Sequence, residues 1–253
     1  MIFAQYPSLA GRVVFVTGGG SGIGAAMVAG FALNDARVAF VDVDEAASEA
    51  LVRELSGARH APVFISCDLT DITALQSAIS RTHDELGPIA VLVNNAANDE
   101  RHEVDEVTPE YWDRAMAVNL RHQFFAAQAV RAQMRELGHG SIINFSSIAW
   151  MGGGTRMVAY TSAKAAVIGL TRSLAREFGP DNIRVNAIAP GAVITPRQLR
   201  LWLSQADVEA IVQRQCLNAR LLADDIARAA LFLAADDSHM ITKQCLTVDA
   251  GLR

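Results

Sequence analysis

The stretch 12–24 constrains this chain most. Val13-Val14-Phe15-Val16 is an apolar, largely β-branched run. Thr17-Gly18-Gly19-Gly20-Ser21-Gly22-Ile23-Gly24 follows at once, and a helical pattern continues to about residue 34. Glycines let a chain turn where a side chain would not fit and let two backbones approach closely. A strand that turns this sharply into a helix is the opening unit of a parallel α/β sheet.

The same rhythm recurs along the chain. Periodicity predicts strands over 12–17, 37–42, 62–66, 89–94, 141–146, 183–188 and 244–248. It predicts helices over 22–34, 45–55, 72–86, 109–137 (capped by Thr108 with Pro109 in the first turn), 157–178 and 224–235. The strands read as almost unbroken apolar runs, which suits a sheet covered on both faces. The fold class expected is therefore α/β: a doubly wound, Rossmann-type, seven-stranded parallel sheet with helices on both faces. With no linker or repeat in view, 1–253 is read as one domain. One segment breaks the rhythm. Residues 192–222 are far longer than the ~2–6 residues usual between strand and helix, and are read as a substrate lid.

Composition narrows the function classes. The chain is 51% hydrophobic and 19% charged, with a net charge of −5 and no Lys/Arg run. That argues against nucleic acid or an anionic membrane surface as partner. Cys67, Cys216 and Cys245 are far apart and fit no metal spacing, and the six histidines form no cluster, so no metal is expected. The N-terminal stretch lacks the layout of a signal peptide, and no apolar run approaches ~20 residues. A cytoplasmic location is the expectation.

The glycine turn can be given a ligand. Gly18, Gly22 and Gly24 follow a G-x-x-x-G-x-G spacing, a variant of the dinucleotide fingerprint. With Ser21 and Ile23 they open a helix whose free N–H groups and positive dipole end suit a pyrophosphate. Asp42 ends the second strand, 18 residues after Gly24. A carboxylate there accepts from both ribose hydroxyls of NAD and repels the 2′-phosphate of NADP. No Arg or Lys lies in the turn, so NAD is the expected cofactor. Asp68, followed by Leu69, suits the adenine end of the crevice. Asn94-Asn95-Ala96-Ala97 ends the fourth strand, where small side chains leave room for the adenosine ribose.

Tyr160 and Lys164 lie four apart on one predicted helix face. A free tyrosine is a poor base, with a pKa near ~10. A neighbouring ammonium, and an oxidised nicotinamide, would stabilise its phenolate. Ser147 ends the fifth strand, 13 residues before Tyr160. Its hydroxyl can hold a substrate oxygen beside the phenol, whereas pleating should turn Ser146 the other way. Asn119 is a polar residue within an apolar stretch of the long helix.

Together these residues resemble the short-chain dehydrogenase/reductase family. The resemblance spans nearly the whole chain and also takes in Arg184-Val-Asn-Ala-Ile-Ala-Pro190-Gly191, Asp224-Asp225-Ile226-Ala227 and Val248-Asp249-Ala-Gly251. It implies that Ser147, Tyr160 and Lys164 are catalytic and that Asn119 helps hold a water relay behind Lys164. It implies that Pro190, Gly191, Ala192, Val193 and Thr195 line the nicotinamide side, and that the chain forms a homotetramer through its two long helices and C-terminal segment. Two positions depart from the family pattern. Ala97 stands in place of a glycine after Asn-Asn-Ala, and Lys243 in place of a glycine before Gln244.

A narrower resemblance is to bacterial NAD-dependent aldose 1-dehydrogenases of the D-xylose type. Tyr6-Pro7-Ser8-Leu9, Asn98-Asp99-x-Arg101-His102, Asn119-Leu-Arg121-His122, Ile143 to Trp150, Arg197-Gln198 and Gln215-Cys216-Leu217 carry it. Asn98, Asp99, Arg101, His102 and Gln198 would offer hydrogen bonds to sugar hydroxyls, and Trp150 an apolar ring face. The expected activity is oxidation of a free aldose at C1 to the aldonolactone. The alternatives are the same fold acting on a 3-oxoacyl thioester or a small secondary alcohol, and a non-catalytic NAD-binding protein.

Overall fold

The computed structural model describes residues 4–253. Seven strands form one sheet: β1 (Val13–Thr17), β2 (Arg37–Asp42), β3 (Val63–Ser66), β4 (Ile89–Asn94), β5 (Gly140–Phe145), β6 (Ile183–Pro190) and β7 (Cys245–Val248). Their spatial order is β3-β2-β1-β4-β5-β6-β7, and every pair is parallel. The order reverses between β1 and β4, and a crevice opens at the carboxyl ends of the strands beside such a switch point.

The apolar side chains of β1 divide between two cores. Val14 and Val16 face α1 (Gly22–Ala32) and α9 (Ala223–Ala234). Val13 and Phe15 face α3 (Ile72–Leu86), α5 (His122–Leu137) and α6 (Val158–Phe178). The two-residue alternation of a strand produces this split, and it needs apolar residues at every position. The remaining helices are α2 (Glu45–Glu54), α4 (Pro109–Met116), α7 (Pro196–Leu201) and α8 (Gln205–Arg214).

Side-chain caps set several boundaries. Asp44 accepts from Ala47 N at 3.0 Å, Asp71 from Thr73 N at 2.8 Å, and Thr108 from Tyr111 N at 3.2 Å. Each satisfies an N–H that the helix itself leaves free. The structure departs from the pattern reading in three places. The helix expected over 109–137 contains a π-helical segment, Ala117–Arg121, between α4 and α5. β6 runs on to Pro190, which pairs with Val248. The segment 192–222 folds into α7 and α8, and its two ends are tied by Ile194 N donating to Leu221 O at 2.9 Å. Lys243 has a φ of 66°, in the left-handed region that favours glycine. That geometry gives the physical sense of the family glycine there, and this chain holds a side chain in it.

Two buried asparagines brace the sheet next to the crevice. Asn94 Nδ2 donates to Asn144 Oδ1 at 2.9 Å, and Asn144 Nδ2 donates to Thr171 Oγ1 at 3.0 Å. Both asparagines are fully buried. Asn144→Val removes a partner from each neighbour without opening a large cavity. It should cost about 1–3 kcal/mol in urea unfolding; unchanged stability would show that the ladder contributes nothing.

Candidate active site

The carboxyl ends of β1, β4, β5 and β6 bring the expected residues to one edge. At the glycine turn, backbone meets backbone. A Cβ on Gly18 would fall 2.8 Å from Ala96 Cα, and one on Gly24 would fall 1.8 Å from Gly18 O. Asn95 locks the turn, with Nδ2 donating to Thr17 O at 3.1 Å and Gly18 O at 2.8 Å. Thr17 Oγ1 accepts from the N–H groups of Asn95 and Ala96. Ser21 begins α1 without a side-chain cap, so the helix start keeps its donors for a ligand. Gly22 has a φ of 54°, and its bare Cβ side looks towards Thr195 at 3.6 Å.

Asp42 is fixed by three backbone N–H groups. Its Oδ2 accepts from Gly20 N at 2.8 Å, and its Oδ1 accepts from Val43 N at 2.8 Å and Asp44 N at 3.0 Å. Asp68 closes its own turn on Thr70, and Leu69 is buried beside it. On the far side Gly191 packs against Asp249, Pro190 ends β6, and Val193 is buried. The bare glycine cradle, the uncapped helix start and the fixed carboxylate fit a nicotinamide dinucleotide.

Tyr160 and Lys164 stand one turn apart on α6, with Lys164 Nζ 5.6 Å from the centre of the Tyr160 ring. Lys164 is 1% exposed and donates to Phe145 O at 2.8 Å. Burial pushes its ammonium down to about 7, against the pull of Asp99. Burial pushes the Tyr160 phenol up to about 12; a hydrogen bond with Ser147 opposes this, Asp99 adds to it, and Arg101 and Arg197 lower it. In the structure desolvation outweighs every charge around Tyr160, and the same burial weakens Lys164 as a cation.

Ser147 and Ser146 do point oppositely. Ser147 joins Tyr160, and its Oγ accepts from Ala149 N at 3.1 Å. Ser146 is buried and donates to Lys164 O at 2.7 Å. Trp150 donates from Nε1 to Ser146 Oγ at 3.1 Å. Asn119 lies in the π segment with its amide fully engaged: Oδ1 accepts from Asn98 N at 2.9 Å, and Nδ2 donates to Asn98 O and Ala115 O. Its backbone carbonyl accepts from Gln123 Nε2 at 3.2 Å.

Above Tyr160 the loop after β4 meets α7. Asp99 receives Arg197 Nη1 on one oxygen and Gln198 Nε2 on the other, the latter at 2.8 Å. Arg197 Nη2 donates to Asn98 Oδ1 at 2.8 Å. The Arg101 guanidinium lies 5.6 Å over the Trp202 ring. His102 is buried and shares a 2.8 Å hydrogen bond with the Tyr111 hydroxyl, so it props the loop from behind. Arg197, carried in the sequence reading by resemblance alone, and Trp202 join the site here. The Thr195-Pro196 cap signal foretells a helix start that would have placed Arg197 and Gln198 in one first turn.

His122, just after the π segment, is fully buried against the backbone of Ala117 and Val118 and makes no hydrogen bond of good geometry. Burial, reinforced by Lys164, pushes it down to about 3 from 6.5. Its neutral ring is thus compatible with folding above the ordinary value, and stability should be lost as pH falls from 6.5 towards 3. His122→Leu should flatten the onset of that decline in thermal unfolding; an onset unchanged by the substitution would contradict it.

Among the described residues no helix is long and apolar enough to cross a membrane. Comparison with known proteins agrees with the geometry. A family model described as enoyl-(acyl carrier protein) reductase matches residues 18–253. The chain is 49% identical to a probable galactose dehydrogenase of Rhizobium meliloti (strain 1021) over 250 residues, 98% of each chain. It is 46% identical to a D-xylose 1-dehydrogenase of Caulobacter vibrioides (strain NA1000 / CB15N) over 253 residues, all of both chains. The crystal structure of a blue fluorescent protein from a metagenomic library in complex with NADPH superimposes with a TM-score of 0.89 at 35% identity, covering 97% of this chain and 99% of that one. The glycine cradle, the Ser147–Tyr160–Lys164 cluster and this full-length similarity have one meaning: the chain belongs to the short-chain dehydrogenase/reductase family of oxidoreductases.

Proposed function

We propose that the chain oxidises a free aldose at its C1 hydroxyl to the aldonolactone, with NAD as acceptor. The observation that carries this reading is a polar rim gathered around the half-buried Tyr160. Asn98, Asp99, Arg101 and Gln198 gather within reach of one another over Tyr160. Donors and acceptors of both kinds suit the hydroxyls of a sugar, and the partly exposed Trp150 ring suits its apolar face. The aldose dehydrogenases among the relatives support the same substrate class.

Each side chain then has a task. Ser147 orients the C1 oxygen towards the phenol. Tyr160 as phenolate takes the hydroxyl proton, and burial makes it a strong base once ionised. Lys164 lies on the same helix face and binds the nicotinamide ribose. When bound, NAD supplies the acceptor for the C1 hydride and a positive ring that favours the phenolate. Gly18, Ser21, Gly22, Ile23 and Gly24 hold the pyrophosphate, Asp42 the adenosine ribose, and Asp68, Leu69, Asn95 and Ala96 the adenine side. Pro190, Gly191, Val193 and Thr195 flank the nicotinamide. Asp42 favours NAD over NADP because its pinned carboxylate would face the 2′-phosphate.

We also read 1–253 as one domain whose segment 192–222 works as the lid. The apolar hollow of Met116, Leu120, Phe124, Phe125, Ala166 and Leu170 across α4, α5 and α6 supports assembly as a homotetramer. The name of the matching family model suggests an acyl thioester instead, but the charged rim at Asp99, Arg101 and Arg197 suits an acyl chain poorly.

Tyr160→Phe should lower kcat by roughly 10²–10⁴-fold while NAD binding, followed by protein fluorescence, survives. D-xylose, L-arabinose, D-galactose and L-fucose, each offered with NAD and with NADP, should yield turnover on at least one sugar and a preference for NAD. Near-normal turnover in the Phe variant would remove Tyr160 from its role. Inactivity on every aldose would defeat the sugar reading, and a preference for NADP would defeat the assignment of Asp42.

A further inference from the structure

Tyr160 sits among few charges. Lys164 faces it from α6, Asp99 and Arg101 from the loop after β4, and Arg197 from α7; Ser147 is its uncharged neighbour from the turn after β5. Asp99 is the one carboxylate of the set. Its side chain is only 15% exposed. Left alone, a buried carboxylate near a phenol opposes formation of the phenolate, because two negative charges would share a site that water screens poorly.

Asp99 is not left alone. Arg197 bonds one of its oxygens and Gln198 the other, and Arg197 also reaches Asn98. All three bonds come from the first turn of α7. Thr195 caps that helix, accepting from Gln198 N at 3.3 Å, and Pro196 fixes its first turn. The base of the segment is tied separately, where Ile194 meets Leu221. The polar contacts that seat α7 on the crevice are therefore the same contacts that surround the Asp99 carboxylate. Arg101, the other cation near Asp99, comes from the loop itself, and its guanidinium lies over Trp202 at the end of α7.

We propose that Arg197 is a positioning residue: from the lid it seats α7 on the Asn98–Asp99 loop and in the same contact cancels the carboxylate that faces Tyr160, so that the base is ready only with the lid in place. The inference rests on the reading of Tyr160 as the base. Without Arg197, Asp99 confronts the phenol with its charge offset by Arg101 alone. Asp99 also favours the charged form of Lys164, which acts in the opposite sense. Arg197 itself lowers the phenol, so its loss removes a direct support of the phenolate as well as the partner of Asp99, and the net direction is towards the protonated phenol. Lid docking and base activation become one event, and a site with an open lid holds its base idle.

The test is the pH dependence of kcat and kcat/KM at saturating NAD, with an alcohol the wild type oxidises. Arg197→Met should displace the acidic limb of the kcat profile to higher pH and lower kcat about tenfold at neutral pH, the equivalent of one pH unit. Adding Asp99→Asn to Arg197→Met should return the limb close to the wild-type position, since no charge remains to be cancelled. Arg197→Lys keeps the charge but loses the second bond to Asn98, so it should keep the limb while raising KM. If Arg197→Met proves unstable, the Lys and double variants carry the comparison. A raised KM with an unshifted limb in Arg197→Met would overturn the proposal, as would a double variant shifted as far as the single one. Full activity in Tyr160→Phe would instead strike the base assignment itself, so the two failures are distinguishable.

Discussion

The site depends first on two backbones in contact. Gly24 comes so close to the Gly18 carbonyl, and Gly18 to Ala96, that a methyl group at either glycine would have no room. This contact draws the start of α1 against the end of β4, at the place where the strand order reverses. Asn95 and Thr17 then hold the turn by hydrogen bonds to its carbonyl and amide groups. The uncapped helix start, the fixed Asp42 carboxylate and the floor of the crevice follow from that approach. Ser147, Tyr160 and Lys164 are placed by the same sheet, two strands along, through the turn after β5 and the first turns of α6.

Burial is the second constraint, and it acts in two directions. It raises the Tyr160 phenol and lowers the Lys164 ammonium. A dry site also strengthens every charge brought into it, because little water remains to screen them. On the proposed reading of Tyr160 as the base, positive charge brought beside it favours the phenolate: a cationic nicotinamide from one side, and Arg197 from α7 on the other. The buried amide of Asn119 serves the same economy of motion, since it pins the Asn98 backbone from which the loop to Asp99 departs.

The sheet was legible because its central strands β1, β4, β5 and β6 are apolar runs covered on both faces, and the caps at Asp71 and Thr108 mark helix starts in plain residue types. Ser147 over Ser146 was legible too, because pleating sends neighbours to opposite sides. The π segment was not. A single π turn across Ala117–Arg121 has no composition signal of its own, so nothing in those five residues sets it apart from the helix on either side. His102 illustrates a different limit. Its residue type suits a hydroxyl, but whether a loop side chain faces the crevice or Tyr111 depends on contacts made elsewhere. The Arg197–Asp99 pair joins residues 98 positions apart, which no local pattern reports.

The central claim is that this edge of the sheet oxidises a sugar at C1. An aldose deuterated at C1 tests it most directly, by mass analysis of the reduced nicotinamide and by the rate of turnover. The account predicts that the deuterium moves to the cofactor and that turnover slows relative to the unlabelled sugar wherever chemistry limits it. Deuterium retained in the sugar product, with cofactor reduced all the same, would place the oxidation at another carbon and contradict the account.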